Sequence, residues 1–255
     1  MTDHKVVAAD QWLVARLELL AKEKEFTRLR DELTRQRRDL PWEKVEKDYI
    51  FDGPDGRESL ADLFDGRSQL IVYHFMFDRE WSEGCKSCSF IADHYDRSIV
   101  HLEHRDVSMV TVSRAPLEKL EDYKRRMGWS FKWVSASGTD TENDFNRDYQ
   151  ASFKPEEVAT KQMYYNYKAQ FFPSTEGPGI SAFFKDDDGN VFHTYSSYGR
   201  GLDILIGAYN LLDLVPKGRD EAGLVYGMEW LRHHDRYQDQ SFRDPYVHLV
   251  AARRK

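Results

Sequence analysis

Both cysteines of the chain lie in Gly84-Cys85-Lys86-Ser87-Cys88. Two cysteines placed at random would fall three residues apart roughly once in a hundred such chains, so the spacing is read as a motif. A thiolate, not a thiol, attacks a disulfide. The start of a helix supplies about half a positive charge and unpaired N–H groups that stabilise the thiolate. Cys85 stands where an apolar run gives way to a helical pattern, which makes it the expected nucleophile, and Lys86 adds a cation beside it. Cys88 follows one helical turn later on the same face, close enough to resolve a mixed disulfide formed on Cys85.

The same two thiolates also suit a metal. A structural zinc takes four ligands, so two more donors are required. His74 and His193 are the candidates, making a soft site for Zn or Cu(I), although each equally reads as a hydrogen-bonded core histidine. His233 and His234 are weaker candidates, because adjacent residues on a helix diverge by about 100° and cannot both face one ion. Three readings stay open: a cofactor-free thiol–disulfide oxidoreductase, a metal-binding protein, and an interaction module with an idle pair.

Periodicity gives the strands and helices around the pair. Gln69–Phe77 is a continuous β-branched and aromatic run, the pattern of a strand buried on both faces. Cys88 to about Leu102 has helical spacing, and Val107–Ser113 is a second strand, so the three form a right-handed βαβ unit. Pro116 opens a helix over Leu117–Met127 that Gly128 closes, and Phe131–Val134 is a third strand. Residues 135–178 read as an irregular insertion. Ile180–Phe184 and Val191–Tyr195, joined by the turn Asp186–Asn190, form an antiparallel hairpin, and Leu202–Leu214 is a closing helix ended by Pro216. Tyr49-Ile-Phe-Asp-Gly-Pro-Asp-Gly56, a short strand followed by a tight reversal, precedes all of these. The result is a mixed sheet flanked by helices on both faces, the thioredoxin arrangement.

Two extensions flank this domain of about 46–215. Residues 1–45 hold a long amphipathic helix from Asp10, read as its N-cap, to Arg38, with Leu13, Leu17, Leu20, Phe26, Leu29 and Leu33 at helical spacing. Its apolar stripe covers either the chain's own domain or a second copy in a homodimer. The tail, 216–255, carries a short helix over about Gly223–His234.

Composition excludes several function classes. The chain has 255 residues, 37 Lys plus Arg against 44 Asp plus Glu, and a net charge of −7. Nucleic-acid binding needs a basic stripe, and the one basic stretch, Arg28–Arg38, is interleaved with Asp31 and Glu32. The longest apolar run is far short of the ~20 residues that cross a bilayer, so no membrane partner is expected. The N-terminus lacks a secretory pattern, which places the protein in the cytoplasm, where a static disulfide is disfavoured.

Longer strings resemble a bacterial thioredoxin-like family catalogued as domain of unknown function 899. They include Tyr73-His-Phe-Met-Phe77, Gly84-Cys-Lys-Ser-Cys-Ser89, Val112-Ser-Arg-Ala-Pro-Leu117, His193-Thr-Tyr-Ser196, Tyr198-Gly-Arg-Gly201 and Leu212-Asp-Leu-Val-Pro-Lys-Gly-Arg219. The resemblance implies a thioredoxin-like fold with a CxxC site, acting on a thiol or disulfide substrate and a reductant it does not specify. It also implies a cis-proline facing the cysteines just before the hairpin, and Pro178 resembles it. Arg114 and Arg200, at strand ends where open α/β sheets place ligands, are expected in the substrate pocket, with Tyr195 a further supporting residue. Two departures stand out. Thioredoxins carry Trp before the first cysteine and Gly-Pro between the pair, where this chain has Gly84 and Lys86-Ser87, and the Pro and Thr that precede the reactive cysteine of peroxiredoxins are absent.

Overall fold

The computed structural model of the chain describes residues 4–137, 144–239 and 241. Its strands are β1 (Glu43–Lys44), β2 (Ile50–Gly53), β3 (Gly56–Ser59), β4 (Gln69–His74), β5 (Val107–Ser113), β6 (Lys132–Ser135), β7 (Met163–Tyr165), β8 (Lys168–Gln170), β9 (Gly179–Lys185) and β10 (Val191–Tyr198). Its α-helices are α1 (Ala9–Arg38), α2 (Lys86–Tyr95), α3 (Ile99–Glu103), α4 (Leu117–Met127), α5 (Phe145–Asp148), α6 (Pro155–Thr160) and α7 (Gly207–Leu212). Eight strands form one sheet in the order β1-β10-β9-β4-β5-β6-β2-β3, and β7 pairs with β8 alone. β4, β5 and β6 run parallel, whereas β9 lies antiparallel to β4 and β10 antiparallel to β9. A βαβ unit joined edge to edge with an antiparallel hairpin is the thioredoxin arrangement, and the strand order shows it directly.

Side-chain alternation along β4 separates two cores. Leu70 and Val72 join Phe51, Phe64, Val110 and Phe183 on one face of the sheet, while Tyr73 and Phe75 join the cysteines, Ile91, Tyr123 and Trp133 on the other. Each such side chain contributes about 1.5–3 kcal/mol by leaving water. The second face, under α2 and α4, positions the thiols.

Several boundaries differ from expectation. The helix after the cysteines begins at Lys86, with Cys85 as its N-cap, and is interrupted by a 3₁₀ turn at Asp96–Ser98. The segment expected as one helix over Leu202–Leu214 is a 3₁₀ stretch, Gly199–Leu205, followed by α7, because Ile206 takes a non-helical conformation between them. The insertion is not irregular throughout. Asp144 accepts the Arg147 N–H to start α5, and the Glu157 carboxylate accepts the Lys154 N–H to start α6. Phe153, Met163 and Tyr165 build a small core there with Tyr198.

The tail is the largest correction. Gly223–His234 forms no α-helix; it runs as turns and bends and leads into a 3₁₀ turn at His234–Arg236. Side-chain carboxylates take the N–H groups a helix would use: Glu229 accepts from Val225 (2.7 Å) and Glu221 from Met228 (3.0 Å). Leu231 is fully buried nonetheless.

The chain divides into two compact units, residues 1–42 and 43–255. Within the first, α1 spans 30 residues, about 45 Å, and none is buried. Its N-cap is Ala8, not Asp10, and has no side-chain bond; Asp10 sits in the first turn, where its charge faces the positive end of the helix. No helix among the described residues is long and apolar enough to cross a membrane.

Candidate thiol site

The chain leaves β4 into a buried stretch, Phe75–Phe77, loops out, and returns at Cys85, whose N–H donates to Met76 O at 3.1 Å. That bond ties the start of α2 to the end of the central strand. The Cys85 carbonyl accepts from Ser89 N and Ser89 Oγ, both at 2.9 Å, and Ser89 Oγ meets Tyr123 OH of α4 at 3.0 Å. Both cysteines are free thiols. Both are buried, Cys85 at 8% exposed and Cys88 at 1%, so Cys85 is the more accessible of the two. Gly84 has a steric reason: a Cβ there would lie 2.7 Å from Phe75 Cε1 and 3.1 Å from Tyr123 Cε1. A tryptophan, as in thioredoxins, has no room.

The pair is electrostatically split. A hydrogen bond from Cys88 pulls the Cys85 thiol below its ordinary value, helped by the N–H groups of Cys88 and Ser87 and by Lys86, against the opposing effect of burial. Burial and the charge on Cys85 push Cys88 well up. The arrangement favours a thiolate on Cys85 and a proton on Cys88. Met76 N–H points at Cys88 Sγ at 3.5 Å. Tyr73, fully buried, has no nitrogen or oxygen partner for its hydroxyl, which lies near enough to Cys88 to favour a thiolate there once a proton has left.

Cys85 and Cys88 open on a cavity of about 510 Å³ whose walls include Met76, Ile91, Phe172, Leu202 and Met228. Pro178 also lines it, but the expected cis bond is absent: no peptide bond among the described residues is cis. Gly177 N–H bonds to Ala151 O (2.9 Å) and Pro178 O accepts from Tyr165 OH (2.7 Å), which fixes an extended approach to β9. Arg200 lines the cavity, largely exposed and paired with Asp203 at 3.0 Å. Arg114 does not. It is held by the buried carboxylate of Glu176 at 2.9 Å, and the cavity walls exclude it. Tyr195, opposite Ala182 on the hairpin, is also outside the walls. Lys86 is buried, donating to Glu229 O at 2.8 Å with Nζ 5.7 Å from the centre of the Tyr226 ring.

The four donors of the metal reading are not brought together. His74 faces the opposite side of β4 from the cysteines, stacked on Phe145 (5.4 Å) and bonded to Ser181 Oγ (2.9 Å). Burial pushes its pKa down to about 3. His193 lies on that side too, against Tyr149 and Phe183. Period-two alternation sends even and odd positions of a strand to opposite faces, so His74 cannot share a ligand set with a helix packed beside Tyr73. Among the described residues no cluster of three or more His, Cys, Asp or Glu side chains is placed to hold a metal ion.

The tail and the insertion, neither of which the sequence marks as part of the site, also belong to it. Tyr226 and Met228 from the tail and Phe171 and Phe172 from the insertion line the cavity, and His233 Nε2 bonds to Gly84 O at 3.0 Å. The available signal was apolar and aromatic density in segments that otherwise read as loop.

A thioredoxin-fold protein with a CxxC pair at a helix N-terminus is what fold and site together define. The chain belongs to the family described as bacterial protein of unknown function (DUF899), which matches residues 1–237. No curated protein matches its sequence. Among solved structures it is similar to a mutant of peroxiredoxin Q from Xanthomonas campestris, at 12% identity and a TM-score of 0.42, covering 68% of this chain and 98% of that one. It is similar also to the peroxidoxin BcpB of Mycobacterium tuberculosis, at 12% identity and a TM-score of 0.41 over 65% and 96% of the two chains. A Chlorobium tepidum chain assigned as a thiol:disulfide interchange protein, DsbE, matches at 15% identity and a TM-score of 0.38, over 66% and 97%. Scores this low add nothing to what the strand order establishes.

Proposed function

We propose that the protein is a thiol–disulfide oxidoreductase in which Cys85 attacks and Cys88 resolves. The observation that carries this is the placement of two free thiols at the first turn of α2, both on the wall of one cavity, with Cys85 the more exposed. The Cys85 thiolate attacks one sulfur of a substrate disulfide, forming a mixed disulfide and expelling the other half as a thiolate, which takes a proton. Cys88 then loses its proton and attacks Cys85 Sγ, releasing the second half as a thiol and leaving a Cys85–Cys88 disulfide. The substrate gains two electrons and two protons, and an external dithiol returns the pair to the reduced state. A reducing compartment such as the cytoplasm supplies that reductant.

The test is mass spectrometry of Cys88→Ser and Cys85→Ser proteins challenged with a disulfide. Cys88→Ser should accumulate a mixed disulfide on Cys85, and Cys85→Ser should form none at a comparable rate. A metal site predicts stoichiometric zinc or copper in the wild type and no covalent adduct on either variant. That result would sink the oxidoreductase reading.

A further inference from the structure

The tail and the cavity together constrain the substrate. Residues 221–236 are tied across the cysteine loop and α2 from several directions. Lys86 donates to Glu229 O (2.8 Å), His233 bonds to Gly84 O (3.0 Å), Arg126 pairs with Asp235 (2.8 Å) and Arg236 with Glu83 (2.6 Å). Glu221 anchors the near end, accepting from Tyr209 OH (2.6 Å), Trp230 Nε1 (2.8 Å) and Met228 N (3.0 Å). Met228 is held in the left-handed region, φ +71, which a bulky side chain adopts only under constraint, and its side chain lines the cavity. With this strap in place Cys85 is 8% exposed. A disulfide in a folded protein brings its flanking backbone with it and cannot reach such a sulfur, whereas a cavity of about 510 Å³ is of ordinary size for a small molecule.

Charge narrows the class further. Four charged side chains line the cavity: Arg200 and Arg219, and Asp203 and Glu221. Their charges cancel, and they are occupied. Asp203 holds both arginines, at 3.0 and 2.9 Å, Arg219 also holds Asp213 at 2.8 Å, and Glu221 is bound to the strap. The remaining walls are mostly apolar. A carboxylate entering here would lose water and meet the like charge of the Cys85 thiolate, with only the solvent-exposed Arg200 to approach, and an ammonium would lose water with no counter-charge but the reacting thiolate itself.

Resting on the oxidoreductase reading, we infer that the substrate class is a small, neutral, apolar disulfide, and that the strap excludes protein disulfides. The test is single-turnover oxidation of the reduced full-length chain, read as Cys85–Cys88 disulfide by acid quench, alkylation and mass spectrometry. The probes are dipropyl disulfide, 3,3′-dithiodipropionate, cystamine and insulin, each rate divided by that of the same disulfide with N-acetylcysteine. The normalised rate for dipropyl disulfide is expected to exceed each of the others at least about tenfold, equivalent to ~1.4 kcal/mol. Met228→Lys, which places a cation on the cavity wall, should raise the relative rate of 3,3′-dithiodipropionate and lower that of cystamine. Insulin or a charged probe reacting as fast as dipropyl disulfide, or no change of preference in Met228→Lys, would overturn the inference and leave the oxidoreductase standing. Oxidation by none of the probes above its reaction with the free thiol would remove both.

Discussion

Cys88→Ala tests the electrostatic division of the pair at its source. Cys85 is buried, which opposes its ionisation, and the hydrogen bond from Cys88 is the largest effect that overcomes burial. A hydrogen bond to a charged group contributes about 1.5–3 kcal/mol, so removing the donor lowers the thiolate-to-thiol ratio of Cys85 by roughly ten- to a hundredfold at fixed pH. The more basic thiolate that remains is intrinsically more nucleophilic, which recovers about half of that loss on a logarithmic scale. Alkylation of Cys85 by iodoacetamide, at pH values below both inflections, should therefore slow by about three- to tenfold, and its inflection should move up. Cys88→Ser keeps an O–H donor on the same turn and should stay near the wild type, which separates loss of the hydrogen bond from loss of volume. The assay is peptide mapping of initial alkylation rates across pH, and in the wild type the Cys85 peptide should be modified before the Cys88 peptide. An inflection in Cys88→Ala that stays in place or moves down would show that Cys88 does not stabilise the Cys85 thiolate, as would a Cys88 thiol that reacts first.

Gly84→Ala forces a methyl group to within 2.7 Å of Phe75, so urea melts should show a loss of about 1–3 kcal/mol; an unchanged midpoint would remove the steric account of this position. His74 is held neutral by burial, with a folded pKa of about 3 against 6.5 ordinarily, so the unfolded chain binds its proton more readily. Its contribution is present above about 6.5 and lost as pH falls toward 3, at up to ~1.4 kcal/mol per unit; His74→Phe should flatten that slope in denaturation midpoints measured across the window. Trp12, Leu19, Phe26 and Leu33 of α1 lie seven residues apart and half or more exposed. Two parallel copies would set Glu25 and Glu32 of one opposite Arg30 and Arg37 of the other, so sedimentation should give a dimer that Phe26→Lys dissociates, and a wild-type monomer would end that reading.

The chemistry-bearing core was legible because it is local. A strand buried on both faces shows as an unbroken apolar run, a helix start next to a cysteine pair shows as a change of period, and Gly128 closes α4 in the left-handed conformation at φ +67, as its position suggested. Val107–Ser113 and Leu117–Met127 emerged with the boundaries the sequence indicates. The tail and insertion were not legible, because their turns are held by bonds to partners far along the chain. Glu229 takes Lys86 from 143 residues away, and His233 reaches Gly84 across 149. Nothing in local periodicity records such a partner.

Two cysteines one helical turn apart, at the start of a helix after a central strand, are local features and could be read from the residues alone. What the pair faces depended on packing between distant segments. Alternation along β4 sent His74 away from the cysteines. The trans bond before Pro178 put a proline wall, and not a cis turn, beside them. Arg200 came to the cavity while Glu176 kept Arg114 out of it, and tail residues that run as turns closed over Lys86. These outcomes depend on which surfaces meet after distant segments fold together, and that is set by the free energy of the whole packed domain rather than by any window of residues.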